Sequence, residues 1–137
     1  MIKKGEKYFM LTTIDKVRLV TGWLIKKKAQ DILALDVSTF TIACEAIILA
    51  TAQSASHGQA LADWILERAH TDRLECFGME GYRSGRWVLV DLNDVIVHIF
   101  QSEVRVFYNL EGLWSRAVHL ALDHVHTSMS PSLLKSF

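Results

Sequence analysis

The segment EGYRSGRWVLVDLNDVIVHIF, from Glu80 to Phe100, decides the fold because it contains two strand-like runs and two turn signals. β-Branched and aromatic residues dominate RWVLVDL and DVIVHIF, and this composition is typical of strands. Ser84-Gly85 predicts a hairpin turn before the first run, and Asn93-Asp94 predicts a tight turn between the two runs. The segment therefore predicts neighbouring antiparallel strands.

The two faces of this predicted hairpin differ in composition. With a two-residue turn at Asn93-Asp94 or at Leu92-Asn93, the alternation of side chains sorts both strands into two sets. One set is wholly aliphatic and predicts the core side: Val88, Val90, Leu92, Val95, Val97 and Ile99. The other set mixes aromatic, carboxylate and imidazole groups, as protein interfaces do: Trp87, Leu89, Asp91, Ile96, His98 and Phe100.

Two alternatives to an interface on the mixed face follow from the same pattern. In the first alternative, helices cover that face as well, and His98 is an ordinary buried histidine whose hydrogen bonds are satisfied. A three-residue turn would flip one strand and mix the two sets of side chains.

Apolar spacing on either side of the hairpin predicts further helices and strands. Val17, Val20 and Leu24 recur on one side of a helix, whereas ILALDV and EAIILAT are aliphatic runs typical of buried strands. The predicted order is a helix at Ile14–Lys28, strands at Ile32–Val37 and Glu45–Thr51, a helix capped by Ser54 or by Ser56 with Gln59 and ending near His70, an extended piece at Leu74–Gly81, the hairpin strands, and a helical stretch at Glu103–His126. This order predicts an α/β (α+β) fold with a mixed five-stranded sheet and packed helices.

The length of 137 residues, half of them hydrophobic, is typical of one domain with its own core. We expect an N-terminal extension over residues 1–12, a single domain over 13–127 and a flexible tail over 128–137. Cys44 and Cys76 have no CxxC spacing, and neither a signal-peptide pattern nor a membrane-spanning run accompanies them. The sequence therefore predicts a reduced, cytoplasmic protein.

The charges argue against nucleic acid as the main partner. Fifteen basic and fifteen acidic residues cancel, so the general attraction to phosphate is weak. The run Lys26–Lys28 is predicted to complement the dipole at a helix end, and a local basic patch is the alternative.

Arrangements that would support catalysis are scarce. The loop TAQSAS, Thr51–Ser56, follows a strand and precedes a helix but lacks the Gly and Lys of a phosphate loop, so helix capping is its predicted role. Asp91 and Asp94 would make a carboxylate pair for a metal, but turn chemistry favours the same residues. His119, Asp123 and His126 fall on one face of the predicted last helix, as a metal trio or an exposed polar stripe. The sequence predicts no catalytic residue, metal or cofactor.

Four stretches carry a resemblance to a known family. They are QDILALDV (Gln30–Val37), EAIILAT, FGMEGYRSGRWVLVDLNDVIVHIF and EVRVFYNLEGLW (Glu103–Trp114). On these motifs the chain from about Ala29 to Ser115 resembles the Iojap-related ribosomal silencing factor family. The family pattern has Thr-Asp where this chain has Cys44-Glu45, and T-G-T-S-S-R-H where this chain has TAQSASH at Thr51–His57.

The resemblance implies a nucleotidyltransferase-like fold without its catalytic carboxylates, and hence a protein that is not an enzyme. It implies a translational repressor that binds the fourteenth protein of the large ribosomal subunit, on the face that meets the small subunit, and so blocks subunit joining. Organellar relatives also assist large-subunit maturation, and some members form homodimers when free. Large-subunit maturation, a nucleotidyltransferase-type enzyme and an RNA-binding module are the alternative functions.

The motifs and the mixed hairpin face together predict which residues contact the partner. These are Glu80, Trp87, Leu89, Asp91, Ile96, His98, Phe100, Tyr108 and Trp114. Leu110 lies one helical turn before Trp114, and Leu113 lies one turn before Ala117. Both leucines are predicted to pack on the sheet.

Overall fold

Helices and strands alternate along residues 11–122, the part of the chain that the computed structural model describes. The elements in this range are α1 (Thr13–Lys26), β1 (Gln30–Asp36), β2 (Ala46–Ala52), α2 (Ala55–Thr71), β3 (Gly78–Glu80), β4 (Trp87–Asp91), β5 (Val95–Gln101), α3 (Ser102–Tyr108), α4 (Leu110–Leu113) and β6 (Val118–His119). The predicted α/β class with a mixed sheet is confirmed, with the short β6 as a sixth strand. The predicted tail at 128–137 lies outside the described residues, as do the first ten residues of the predicted extension.

The six strands form one sheet in the order β3-β4-β5-β2-β1-β6. Only β2 and β5 pair in parallel, from Ala46 opposite Val95 to Ala52 opposite Gln101, because α2 carries the chain back across the sheet between them. Every residue of β2 is buried. The strand lies in the middle of the sheet with side chains packed against both of its faces, which explains its uninterrupted apolar sequence.

A hydroxyl group caps the N-terminus of α2. The Oγ of Ser54 accepts a hydrogen bond of 3.0 Å from the backbone N–H of His57, so Ser54 is the N-cap. The predicted capping box of Ser56 and Gln59 is wrong. The side-chain amide of Gln59 donates instead to the carbonyl oxygens of Tyr82 and Arg83, because the loop between β3 and β4 lies against the start of α2.

The two faces of the sheet carry separate apolar clusters. Helices α1 and α2 cover one face, and all six residues of the aliphatic hairpin set are fully buried beneath them. Short helices α3 and α4 lie on the other face over a smaller cluster that includes Leu35, Leu49 and Phe100. Within residues 11–122, the sheet is therefore covered completely on one side and only in part on the other.

The turn between β4 and β5 has the predicted two-residue form. Asn93 adopts a positive φ of 80°, and the N–H of Leu92 donates to the carbonyl of Val95 over 2.9 Å. The resulting register sets Trp87 opposite Phe100, Leu89 opposite His98, and Asp91 opposite Ile96. The prediction that the hairpin has one aliphatic and one mixed face is confirmed.

The predicted hairpin turn at Ser84-Gly85 is wrong in form. Strands β3 and β4 do pair in antiparallel fashion, but the loop Gly81–Arg86 joins them. Gly85 has a φ of 71° and lies so close to the carbonyl of Ala55 that a Cβ atom would collide with it. Contact with α2, rather than a two-residue turn, therefore shapes this loop.

The predicted helical stretch at Glu103–His126 is interrupted at Asn109. This residue adopts the left-handed conformation, with φ 47°, and its Oδ1 accepts a 3.1 Å hydrogen bond from the N–H of Gly112. The same residue therefore ends α3 and caps α4, because asparagine tolerates this conformation better than most residues. His119 lies in β6 rather than on a helix, which overturns the predicted helical trio; Asp123 and His126 lie outside the described residues.

The two leucines of this stretch differ in burial. Leu110 is half-buried against the smaller cluster, whereas Leu113 is 70% exposed. The packing role predicted for Leu113 is therefore wrong, since α4 is a single turn and presents this residue to solvent.

Val90→Ala and Val97→Ala should each lower the free energy of unfolding by about 2 kcal/mol, because each removes fully buried methyl groups and leaves a cavity. Chemical denaturation of both variants measures this loss. Leu113→Ala, which trims an exposed leucine, should change stability by less than about 0.5 kcal/mol. Equal losses in all three variants would contradict the assignment of the core.

Candidate docking site

The mixed face of β4 and β5 remains partly open in the described part of the chain. Five of its side chains are half-buried, and we call them the open face: Trp87, Leu89, Asp91, Ile96 and His98. Phe100, which sequence analysis assigned to partner contact, is fully buried with 0% exposure. It lies within the smaller cluster and supports the open face from below.

A group of aromatic side chains borders the open face on the side of α3. The ring centroid of Trp87 lies 4.8 Å from that of Tyr108 and 5.4 Å from that of Phe100. Phe107 contacts Tyr108 edge to face at 4.9 Å. Tyr108 is 55% exposed and Phe107 is 78% exposed. We call Trp87, Phe107 and Tyr108 the aromatic wall. Its base is the packed ring of Trp87, and the rings of Phe107 and Tyr108 are exposed.

A second border contains residues that sequence analysis did not select. Phe40 lies in the loop between β1 and β2, and its ring centroid is 6.4 Å from that of Trp114, edge to face. Ile42, from the same loop, is fully exposed. Phe40, Ile42, Leu113 and Trp114 form what we call the apolar rim. The sequence marks Phe40 and Ile42 only as apolar residues, since their loop carries no motif.

Glu80 lies in β3, the edge strand next to β4. It is exposed, and it pairs with Leu89 across β3 and β4, which directs both side chains to the same face. The structure therefore brings all nine predicted contact residues to one side of the molecule, with Phe100 beneath the surface.

A hydrogen bond fixes the central histidine of the open face. The indole Nε1–H of Trp87 donates to Nδ1 of His98 over 3.1 Å, so His98 carries its proton on Nε2 when neutral. Burial lowers the pKa of His98 to about 4. The imidazole is therefore neutral near pH 7, and protonation would break its bond with Trp87.

The carboxylates near the β4–β5 turn have structural partners. Asp91 Oδ1 accepts from the N–H of Asn93 over 2.8 Å, as in an Asx turn. Asp94 Oδ1 forms a 2.6 Å ion pair with Lys16, and its other oxygen accepts from Thr13. Burial raises the pKa of Asp94, but the hydrogen bonds from Lys16 and Thr13 outweigh it and hold the pKa below its usual value. The pair therefore stabilises the turn and ties it to α1.

Neither cysteine is arranged as a nucleophile. Cys44 is half-buried at the edge of the smaller cluster, where burial and then the charges of Asp91 and Asp94 raise its thiol pKa. Cys76 is half-buried against the larger cluster. Among residues 11–122, no three His, Cys, Asp or Glu side chains are grouped as metal ligands.

Comparison with known proteins identifies the family of this chain. The family model described as ribosomal silencing factor during starvation matches residues 11–133. The chain belongs to this family. It is 40% identical to the ribosomal silencing factor RsfS of Bacillus subtilis over 97 residues, which cover 71% of this chain and 82% of that protein. It is 35% identical to RsfS of Halalkalibacterium halodurans over 111 residues, 81% of this chain and 95% of that protein.

The fold of this family member also matches a solved structure. A crystal structure of a Chromobacterium violaceum protein superposes with a TM-score of 0.72 at 36% identity, covering 78% of this chain and 88% of the other. In the described part of the chain, no helix combines the length and apolar character required to cross a bilayer.

The loop that departs from the family pattern is held by internal hydrogen bonds. The N–H of Gln53 donates to Nδ1 of His57 over 2.9 Å, and His57 Nε2 donates to the carbonyl of Lys27 over 2.8 Å. His57 thus joins the start of α2 to the end of α1. Ser54 caps α2, as the sequence predicted for Thr51–Ser56, and His57 adds the contact between the two helices.

A buried arginine anchors α3 beneath the aromatic wall. The Nη1 of Arg105 donates to the carbonyl of Asp31 and to the hydroxyl of Thr51, and its Nε pairs with Glu111 at 2.9 Å. These bonds tie α3 to β1, β2 and α4. The position of Tyr108, at the end of α3, therefore depends on Arg105.

Acid should destabilise this family member through His98. The unfolded state takes up a proton near pH 6.5 and the folded state only near pH 4, so the folded state loses up to about 3 kcal/mol as pH falls through this window. Above pH 6.5 the effect is absent. Denaturant titrations at pH 7.5 and 4.5 measure it, with His98→Asn as the control that keeps an acceptor for Trp87. If both proteins lost equal stability, His98 would not be the responsible group.

Proposed function

We propose that the protein represses translation by binding the large ribosomal subunit on the face that meets the small subunit, which prevents the two subunits from joining. Family membership makes the chain a ribosome-associated regulator of translation. The contact proposed here is the fourteenth protein of the large subunit. The observation that carries the proposal is the open face, together with the exposed Tyr108 that packs on Trp87 and with Trp114, which packs on the same cluster as Trp87 and Ile96.

Three properties of this surface support a protein partner. The aromatic wall and the apolar rim expose large apolar groups, as the centres of protein interfaces do. Trp87 and His98 are held in place by their mutual hydrogen bond and by packing on Phe100, so they lose little freedom on binding. His98 is neutral near pH 7, which removes the cost of burying a cation.

The proposed contact set follows the sequence-based prediction with one change. Glu80, Trp87, Leu89, Asp91, Ile96, His98, Tyr108 and Trp114 contact the partner, whereas Phe100 positions Trp87 and His98 from within the protein. Phe40, Phe107 and Leu113 join the contact set, because they are exposed beside it. The same apolar surface supports homodimers of the free protein.

The proposed action is steric and requires no chemistry. Helices α1 and α2 cover the sheet on the side opposite the open face, and a helix with its side chains is about 10 Å across. A protein bound through its open face therefore adds a sheet and a helix layer to the large subunit. That bulk occupies space needed by the small subunit, in the cytoplasm, without a cofactor or catalytic residue.

The protein should co-sediment with purified large subunits and lower the yield of joined ribosomes when small subunits are added. Sucrose-gradient sedimentation with each subunit separately and with both together measures this. Pelleting with small subunits alone, or unchanged joining at a saturating amount of protein, would contradict the proposed repression.

Tyr108→Ala should weaken binding to the large subunit by about 2 kcal/mol, because it removes an exposed ring of the aromatic wall. Tyr82→Ala is the matched control. Tyr82 is also an exposed tyrosine, at 39%, but its hydroxyl donates to Asp63 of α2, in the helix layer on the opposite side of the sheet. Binding measured by fluorescence anisotropy, with thermal melts of both variants, separates the effects.

Equal losses of affinity in the Tyr108 and Tyr82 variants would contradict the assignment of the docking face. Tyr108 is a better position for this test than Trp87 or His98, because those two residues are more buried and hold each other by a hydrogen bond. Their replacement would lower stability together with affinity.

A further inference from the structure

We propose that a basic patch at the junction of α1 and α2 is a second contact of the docked protein, made with the phosphate backbone of large-subunit ribosomal RNA. The patch consists of Lys26, Lys27, Lys28, Trp64 and Arg68. The inference rests on the proposed function, because RNA beside the docking site becomes available only when the open face is bound. It adds a nucleic-acid contact to a chain whose total charge is zero.

Two cations of the patch lie near one indole ring. The Nζ of Lys27 lies 4.3 Å from the ring centroid of Trp64, and the guanidinium carbon of Arg68 lies 5.7 Å from it. Trp64 is fixed in turn, because its Nε1–H donates to the carbonyl of Trp23 over 3.1 Å. The ring therefore holds positive charge at a defined position on the surface.

These cations have few anionic partners. Among the described residues, Lys26, Lys27 and Lys28 form no ion pair, and Arg68 has only a loose contact of 3.7 Å with Asp72. All three lysines are exposed at the C-terminal end of α1, where the helix dipole favours cations and the charge of the lysines stays open to solvent. Local positive charge thus persists although the chain is neutral overall.

Lys28 occupies a position that glycine usually fills. It follows the helix cap with a positive φ of 68°, and the N–H groups of Lys28 and Ala29 donate back to Ile25 and Leu24. This is the Schellman arrangement, in which glycine or asparagine costs less backbone energy than lysine. A strained cation beside two others points to a role for its charge.

The location of the patch suits a contact beside the docking site. Only Ala29 separates Lys28 from β1, and the first residue of β1, Gln30, lies in the cross-strand row that leads through Thr51 and Phe100 to Trp87. The patch therefore lies at the same end of the sheet as the aromatic wall. Lysines that neutralise phosphates release bound counterions, and binding then weakens as salt rises. A salt-dependent component is therefore expected in binding to the whole subunit and not in binding to its isolated protein.

The test is a double variant that removes two charges without harming the fold. Lys27→Gln with Lys28→Asn should keep or raise thermal stability, because asparagine suits the left-handed position. Arg73→Asn with Arg83→Gln is the matched control: Arg73 has a φ of 63° at the corresponding position after α2, and the same charge is lost away from the patch.

The patch variant should bind large subunits several-fold more weakly than the control. The slope of log affinity against log salt should fall by about 2, one for each lost phosphate contact. Its binding to the isolated fourteenth protein should be unchanged. Affinity and slope equal to those of the control would overturn the proposal, as would an equal loss with the isolated protein, because the patch would then contact protein.

Naked large-subunit ribosomal RNA separates this proposal from the proposed function. At low salt the unmodified protein should bind this RNA more tightly than the patch variant does. Failure of the unmodified protein to bind intact subunits would refute the docking proposal alone. Equal RNA binding by both proteins would refute the RNA contact whether or not docking occurs.

Discussion

The register of one hairpin is the constraint on which the rest of this structure depends. Asn93 adopts a left-handed conformation and closes a two-residue turn, and this turn sets Leu89 opposite His98. A shift of one residue in β4 would carry Val88 and Val90 to the open face and turn Trp87 toward the core. Lys16 supports the register from outside the hairpin, because its ion pair with Asp94 ties the turn to α1.

The two faces of the sheet are covered unequally, and the mixed face of the hairpin therefore lies partly at the surface. Helices α1 and α2 bury one face, whereas the chain breaks at Asn109 into two short helices that cover only part of the other. A continuous helix in their place would extend over more of the sheet. The break leaves β4 and β5 partly open, and Arg105 holds α3 so that Tyr108 stands beside Trp87. Exposure of the aromatic wall is thus built into the fold.

Several polar groups among the described residues hold parts of the structure in place. His98 accepts a hydrogen bond and stays neutral, Asp91 and Asp94 stabilise a turn, and His57 links two helices. In the proposed function the open face contacts another macromolecule. The aromatic wall and the apolar rim are proposed to contact a protein and the separate basic patch to contact phosphate, so that one small domain would contact both components of a ribosome.

The sequence by itself determined the alternation of the hairpin, the buried β2 and the family motifs, because these depend on neighbours along the chain. Eight of the nine contact residues predicted from the sequence also remain in the proposed contact set. Only the tertiary structure decided that Phe100 is buried, that Leu113 is exposed and that Phe40 meets Trp114. It also decided that Asn109 divides a stretch whose spacing is helical. These outcomes depend on contacts between distant segments, since burial and helix length follow from what packs above each residue and not from local spacing alone.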